Sequence, residues 1–230
     1  QAALAEADGV NRTQIWIAEG VYRPDLGPGQ TEGERNSTFQ LKNRLEIIGG
    51  FQGDEQTFEE REMHGFTTYL SGDVGAHNWP DDNVYHVVTA SGVDRTAILL
   101  DLGIGRGRAD GSGAWDKRGA GITANNGSPS LRHLLFFDNH AVGLNSGGGG
   151  LCVYNGGSPV AFSCVFEGNS ADWGGAVKLS AGSSAIFYNA LMLRNSASSK
   201  GGALGIFESN ATIAHSTITD NNVTIDGGGI

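Results

Sequence analysis

The side chains that could do chemistry in this chain are few and scattered. Cleaving a glycosidic bond by acid and base takes two carboxylates facing each other across it, ~5–10 Å apart. Asp81-Asp82 is the only Asp pair, and His64-Gly65 is the only His-Gly. They lie well apart in sequence, and the rest of such a catalytic set is missing. Further along, Asp138, Asp172, Asp220 and Asp226 occur with Arg132, Arg194 and Lys200. Asp138 and Asp220 stand at equivalent places of a repeat but three repeats apart, ~14 Å in a stacked coil, too far to share a metal ion. The segment holding Asp73, Asp81 and Asp82 offers oxygen ligands for calcium, although without a fixed calcium-loop spacing. The expectation is therefore a chain without catalytic residues, with calcium at Asp73, Asp81 and Asp82 as its one cofactor candidate.

Other residue types suggest binding or cross-linking. Trp79, Trp115 and Trp173 fall in turn-rich segments, where an indole can stack on a sugar face. Cys152 and Cys164 flank the turn Asn155-Gly156-Gly157-Ser158-Pro159, so a disulfide between the two flanking strands is one reading. Two small apolar side chains stacked in a core is the other. His133 and His215 occupy similar repeat positions and read as surface or stacked residues rather than metal ligands. Five Asn-x-Ser/Thr sequons occur, at Asn11, Asn36, Asn126, Asn210 and Asn222; they are acceptor sites only in a secreted eukaryotic setting.

The elements that position these residues are read from a repeat. Phe136, Phe166, Met192 and Ile218 are each followed three places on by an asparagine: Asn139, Asn169, Asn195 and Asn221. Each asparagine is followed by a glycine pair and a small-aliphatic step: Gly148-Gly149, Gly174-Gly175, Gly201-Gly202 and Gly227-Gly228. The asparagines are 30, 26 and 26 residues apart, a period that signals a solenoid. Such a repeat holds about three short strands and three turns. Coiled with one repeat per turn, the chain predicts an all-β, right-handed parallel β-helix. Its aromatic and aliphatic column would point inward, its asparagines would stack as a hydrogen-bonded ladder, and its glycines would turn corners. The segments between Asn and Gly read as variable loops. Residues 119–230 carry the regular repeats; residues 1–118 are less regular, with polar loops at 24–37, 71–83 and 105–118. Residues 1–7, rich in Ala, Leu and Glu, predict a short helix that caps the coil.

Composition agrees with this reading. There are 37 glycines but no three-residue period, which excludes collagen. The net charge of −10 argues against nucleic acid as a partner and suits a protein outside the cell or on its surface. No apolar run reaches the ~18 residues of a membrane span. The chain begins at Gln1, as a mature or trimmed protein would.

The FxxN and GGA[ILV] motifs resemble the repeats of chlamydial-type polymorphic outer-membrane proteins. The whole chain is similar to bacterial secreted β-helix proteins of the pectate-lyase-like superfamily. The matching blocks are Ala3 to Pro24, Ile48-Gly49-Gly50-Phe51 with the following Gln52-Gly53-Asp54-Glu55, Arg61, Tyr69-Leu70-Ser71-Gly72-Asp73, and Asp82 to Val88. Gly127-Ser128-Pro129 and Gly157-Ser158-Pro159 complete them. The resemblance implies a secreted or surface structural and adhesive role, with carbohydrate binding or polysaccharide degradation as the alternative. Solenoid enzymes of that superfamily gather acids on adjacent turns, a set this chain lacks. Members also run on for more turns, whereas this chain stops in mid-repeat at Gly228-Gly229-Ile230. The expected partners are thus the rest of a longer chain or a second copy joined end to end as a fibre subunit, with surface glycans or host proteins as ligands.

Overall fold

The structure, a computed structural model, describes residues 1–61, 65–113 and 115–230. The chain winds into a parallel β-solenoid of about seven turns, with three sheets as its walls. The first and widest sheet stacks Thr13–Ala18, Leu45–Phe51, Ile98–Gly105, Ser130–Phe137, Val160–Phe162, Ser184–Tyr188 and Asn210–Ala214. Its second half continues through Gly20–Tyr22, Thr68–Ser71, Val165–Glu167, Leu191–Leu193 and Thr217–Thr219. The second sheet runs from Phe39–Gln40 to Leu204–Phe207, and the third from Arg108–Ala109 to Asn222–Val223.

The inward column forms as its spacing predicts. Phe136, Phe166, Met192 and Ile218 are register partners on successive turns. The Phe136 and Phe166 rings stack at 4.4 Å and 2°, and Phe187 meets Phe166 edge-on at 6.2 Å. These residues join one apolar cluster that runs from Leu4 to Leu204, and burying it removes the coil's interior from water. At the start of the coil, helix Ala2–Glu6 buries Leu4 and the following Ala7 against the same cluster. Lys42 Nζ donates to the carbonyl of Leu4 at 3.0 Å and to that of Ala7, satisfying groups that a helix end leaves open.

The asparagines form the ladder. The backbone N–H and Nδ2 of Asn139 both donate to Asn169 Oδ1, at 3.2 and 3.0 Å. Asn169 repeats this onto Asn195, and Asn195 onto Asn221. Each Nδ2 also reaches back to the inward residue's carbonyl one turn earlier: Asn169 to Phe136, Asn195 to Phe166, Asn221 to Met192. The glycine pairs divide the labour at the next corner. Gly148, Gly174, Gly201 and Gly227 hold φ between +59° and +71°, which an L side chain resists. Gly175, without positive φ, is required by close backbone alone: a Cβ there would meet the carbonyl oxygens of Gly202 and Ser196 at 2.4 Å.

Two expectations are corrected. The segments between Asn and Gly are not all loops; Ser170–Trp173 and Ser196–Lys200 are strands of the third sheet, hydrogen-bonded to the equivalent stretch of the next turn, whereas in the first repeat only His140–Ala141 is strand and the chain loops from there to Gly147. Nor do the cysteines bridge: both are free and buried. Cys164 faces the interior, its Sγ 3.5 Å from the Leu131 carbonyl. Cys152 lies between inward Leu151 and Val153, so strand alternation turns it to the outer face beside Lys178. The wall of the coil separates the two thiols. No helix among the described residues is long and apolar enough to cross a membrane.

Candidate binding groove

Outward positions on the second half of the first sheet carry Tyr69 and Ser71, then Gly103 and Gly105, then Leu135 and Phe137 in register. Glycine in a strand interior marks close approach by something else. Here a Cβ on Gly103 would lie 2.3 Å from Tyr69 Cδ1, and one on Gly105 would lie 2.5 Å from Phe137 Cζ. The two glycines open a trench one strand wide, and the rings of Tyr69 and Phe137 lean into it, 5.6 Å apart and edge-on. Tyr69 Oη donates to the Phe66 carbonyl at 2.5 Å, which fixes its ring. The result is a groove of about 800 Å³ with an aromatic floor.

Its charged walls are largely paired. Arg106 Nη1 lies 2.8 Å from Asp73 Oδ2 and donates to Asn78 Oδ1 at 3.2 Å; His77 Nδ1 lies 3.1 Å from the same carboxylate. Arg23 binds Asp25 and Glu32, each at 3.2 Å, and Arg194 binds Glu167. Asp138 is the wall carboxylate without an ion pair among the described residues. A smaller recess of about 170 Å³ adjoins the groove, sharing Asp73, Arg106 and Asp138 and adding Asn83 and His140. Asn83 Oδ1 is buried there without a hydrogen-bond partner among the described residues. His140 Nδ1 sits 2.6 Å from Ser170 Oγ, and burial holds this imidazole below its ordinary pKa.

The residues singled out from sequence are not brought together in this groove. Only Asp73 of the calcium candidates lines it, and Arg106 already occupies its carboxylate. Asp81 pairs with Arg108 at 2.9 Å, and Asp82 Oδ2 accepts the Ala76 N–H at 2.7 Å. Among the described residues no group of three or more His, Cys, Asp or Glu is placed to hold a metal ion. His64 of the His-Gly pair lies outside the described residues. Trp79 is exposed on its loop. Trp115 stacks on Tyr154 at 4.6 Å beneath Arg118, and Trp173 meets Phe207 edge-on with Lys178 and Lys200 against its ring.

Sequence reasoning passed over Tyr69 and Phe137; the signal for them was Gly103-x-Gly105 inside an apolar strand. It also passed over Asp101, a buried carboxylate 2.6 Å from Arg61 Nη1 and bonded to His133 Nδ1. Phe66 packs on the His133 ring at 5.1 Å.

What the geometry defines is a class, a parallel β-solenoid with a shallow aromatic groove on its widest sheet. Compared with protein families, curated proteins and solved structures, the chain matches none of them.

Proposed function

We propose that the chain is a structural and adhesive β-solenoid of the cell exterior that binds an uncharged saccharide in the Tyr69–Phe137 groove and leaves it intact. One observation carries this reading. The floor offers two rings for stacking, worth about 0.5–1.5 kcal/mol per well-placed aromatic contact beyond burial, while most charged groups of the walls neutralise one another in pairs. Acid–base catalysis needs groups poised to exchange protons with the substrate, and paired walls suit recognition better. The likeness to secreted pectate-lyase-like and polymorphic-repeat proteins, which rests on the FxxN and GGA[ILV] motifs, supports the same reading, as does the acidic net charge.

The test is calorimetric binding of a panel of neutral oligosaccharides to the whole chain, with product analysis of the same mixtures. The expected result is binding to at least one of them, weakened at least tenfold in the Tyr69→Ala and Phe137→Ala variants, with no new reducing ends. Asp138, lacking an ion pair in the groove wall, is the one observation favouring the enzyme alternative. Release of reducing ends or of unsaturated sugars, abolished by Asp138→Asn, would establish that alternative and overturn the proposal.

A further inference from the structure

The second sheet carries a different device on its outer face. In strand Val177–Ser180, Val177 and Leu179 point into the core, so Lys178 and Ser180 point outward. Lys178 is nevertheless only 6% exposed. Its stem is seated by a missing side chain: a Cβ on Gly147 would lie 2.0 Å from Lys178 Cδ. On its other side the register partner is Gly205, which adds no side chain to cover it.

This buried ammonium is short of partners. It has three protons to donate, and among the described residues its hydrogen bond is to the Asn145 carbonyl at 3.2 Å. It forms no ion pair there; its remaining support is the face of Trp173, 5.0 Å away. The nearby carboxylate of Asp172 is committed to Ser198, Ser199 and the Asn145 N–H. Glu208 stands on the rim and pairs with no cation among the described residues. Buried charges are ordinarily paired, because desolvation without a counter-charge is costly.

The surroundings suit an acidic ligand with a ring. Lys178 lines a recess of about 440 Å³ with Arg118, Trp173, Ser180 and Phe207. Ser180, over nine-tenths buried, has a hydroxyl with no hydrogen-bond partner among the described residues. Phe207, its register partner, is 49% exposed and stands edge-on to Trp173 at 6.0 Å. The chain carries a net charge of −10 and has four lysines, yet Lys178 and Lys200 both lie against the Trp173 ring and Arg118 lines the same recess. That gathering of cations favours one acidic group at the recess, while the overall charge disfavours a long polyanion such as nucleic acid.

We propose that this recess is a second binding site, separate from the groove, for an acidic sugar residue of a glycan: the ring packs on Phe207 and Trp173, its carboxylate or sulfate meets Lys178 and Arg118, and a hydroxyl bonds Ser180 Oγ. The site stands independently of the groove, which lies on another sheet.

Calorimetry with the whole chain tests it, using an alginate oligomer as the carboxylate probe, a heparin tetrasaccharide as the sulfate probe and a laminarin oligomer as the neutral control. At least one acidic probe binds at low salt and weakens as salt rises; which one binds identifies the acid. Lys178→Met, which keeps the apolar stem, weakens that binding at least tenfold, and so does Phe207→Ala. Tyr69→Ala leaves it unchanged. Should Lys178→Met fail to fold, the surface variants Phe207→Ala and Arg118→Gln carry the test. Failure of both acidic probes to bind, equal binding of the neutral oligomer, or unchanged affinity in the folded variants overturns the proposal. Loss of acidic-probe binding in Tyr69→Ala would also overturn it, by assigning the ligand to the groove.

Discussion

Asn169 Oδ1 accepts two hydrogen bonds from one residue a full turn away, the backbone N–H and the side-chain Nδ2 of Asn139. Its own Nδ2 returns to the Phe136 carbonyl. A single buried amide thus closes three polar groups that no water reaches, and the same arrangement repeats down the coil. A satisfied network of this kind stiffens what it joins, whereas a partly satisfied one is costly.

The ladder's energetic weight therefore depends on burial. Asn169→Ala orphans the Asn139 donors and the Phe136 carbonyl, and leaving buried groups unmade costs about 1–3 kcal/mol each. We expect a loss of about 3 kcal/mol in urea unfolding. Asn221→Ala removes the equivalent bonds at a partly exposed position, where water can replace them, and should cost about 1 kcal/mol. Equal losses at the two positions would show that the hydrogen bonds, rather than their burial, set the contribution.

A paired substitution separates the two duties of glycine. Gly175→Ala places a methyl group 2.4 Å from two carbonyl oxygens, so strands on adjacent turns must part; overpacking of this kind costs about 3 kcal/mol. Gly182→Ala has open space around the new Cβ but keeps a φ of +74°, a conformational cost of about 1 kcal/mol. Melting temperatures of the two variants check the order, and a larger loss at Gly182 would refute it.

The contrast explains what the sequence made legible. Features with a period were readable: Phe136, Phe166 and Met192 stack in register because each repeat satisfies its neighbour, and the Asn and Gly columns follow for the same reason. Local corners were harder to read. Asp101, His133, Ser163, Asn189 and His215 all take left-handed φ at one corner of the first sheet, yet no common residue type marks that column. The groove and the recess are harder still, since they arise between turns with no period. The groove exists because Gly103 and Gly105 face Tyr69 and Phe137 from neighbouring turns, and Lys178 is buried because Gly147 lies one turn back.

The thiols give a prediction about alkaline pH. Burial pushes Cys164 up to about 12 and Cys152 up to about 11, from an ordinary 9.0. A folded-state pKa above the unfolded one means that the native chain holds protons which the unfolded chain has released. Stability is full below pH 9 and falls as pH rises through the window from 9 to about 12, by at most about 1.4 kcal/mol per pH unit for each thiol. Cys152→Ala with Cys164→Ala should flatten that slope. Thiol reagents at pH 8 should label neither cysteine until the chain is unfolded; prompt labelling of the native chain would contradict the buried placement.

Acid works through the opposite sign. His86 and His140 are both held below the ordinary imidazole value of 6.5, chiefly by burial. His86 Nδ1 is also tied to the Gly119 carbonyl at 3.1 Å, and Asp138 and Arg108 act on His140 in opposing directions. As pH falls below 6.5 the unfolded chain takes up protons at these positions before the folded chain does, so stability is present above 6.5 and declines beneath it. The slope is at most about 1.4 kcal/mol per pH unit for each histidine. Urea midpoints measured from pH 7.5 to 5 should fall accordingly. His86→Gln should remove most of the fall, because His86 is the more deeply enclosed of the two. A fall that survives in both His86→Gln and His140→Gln would contradict its assignment to these two histidines.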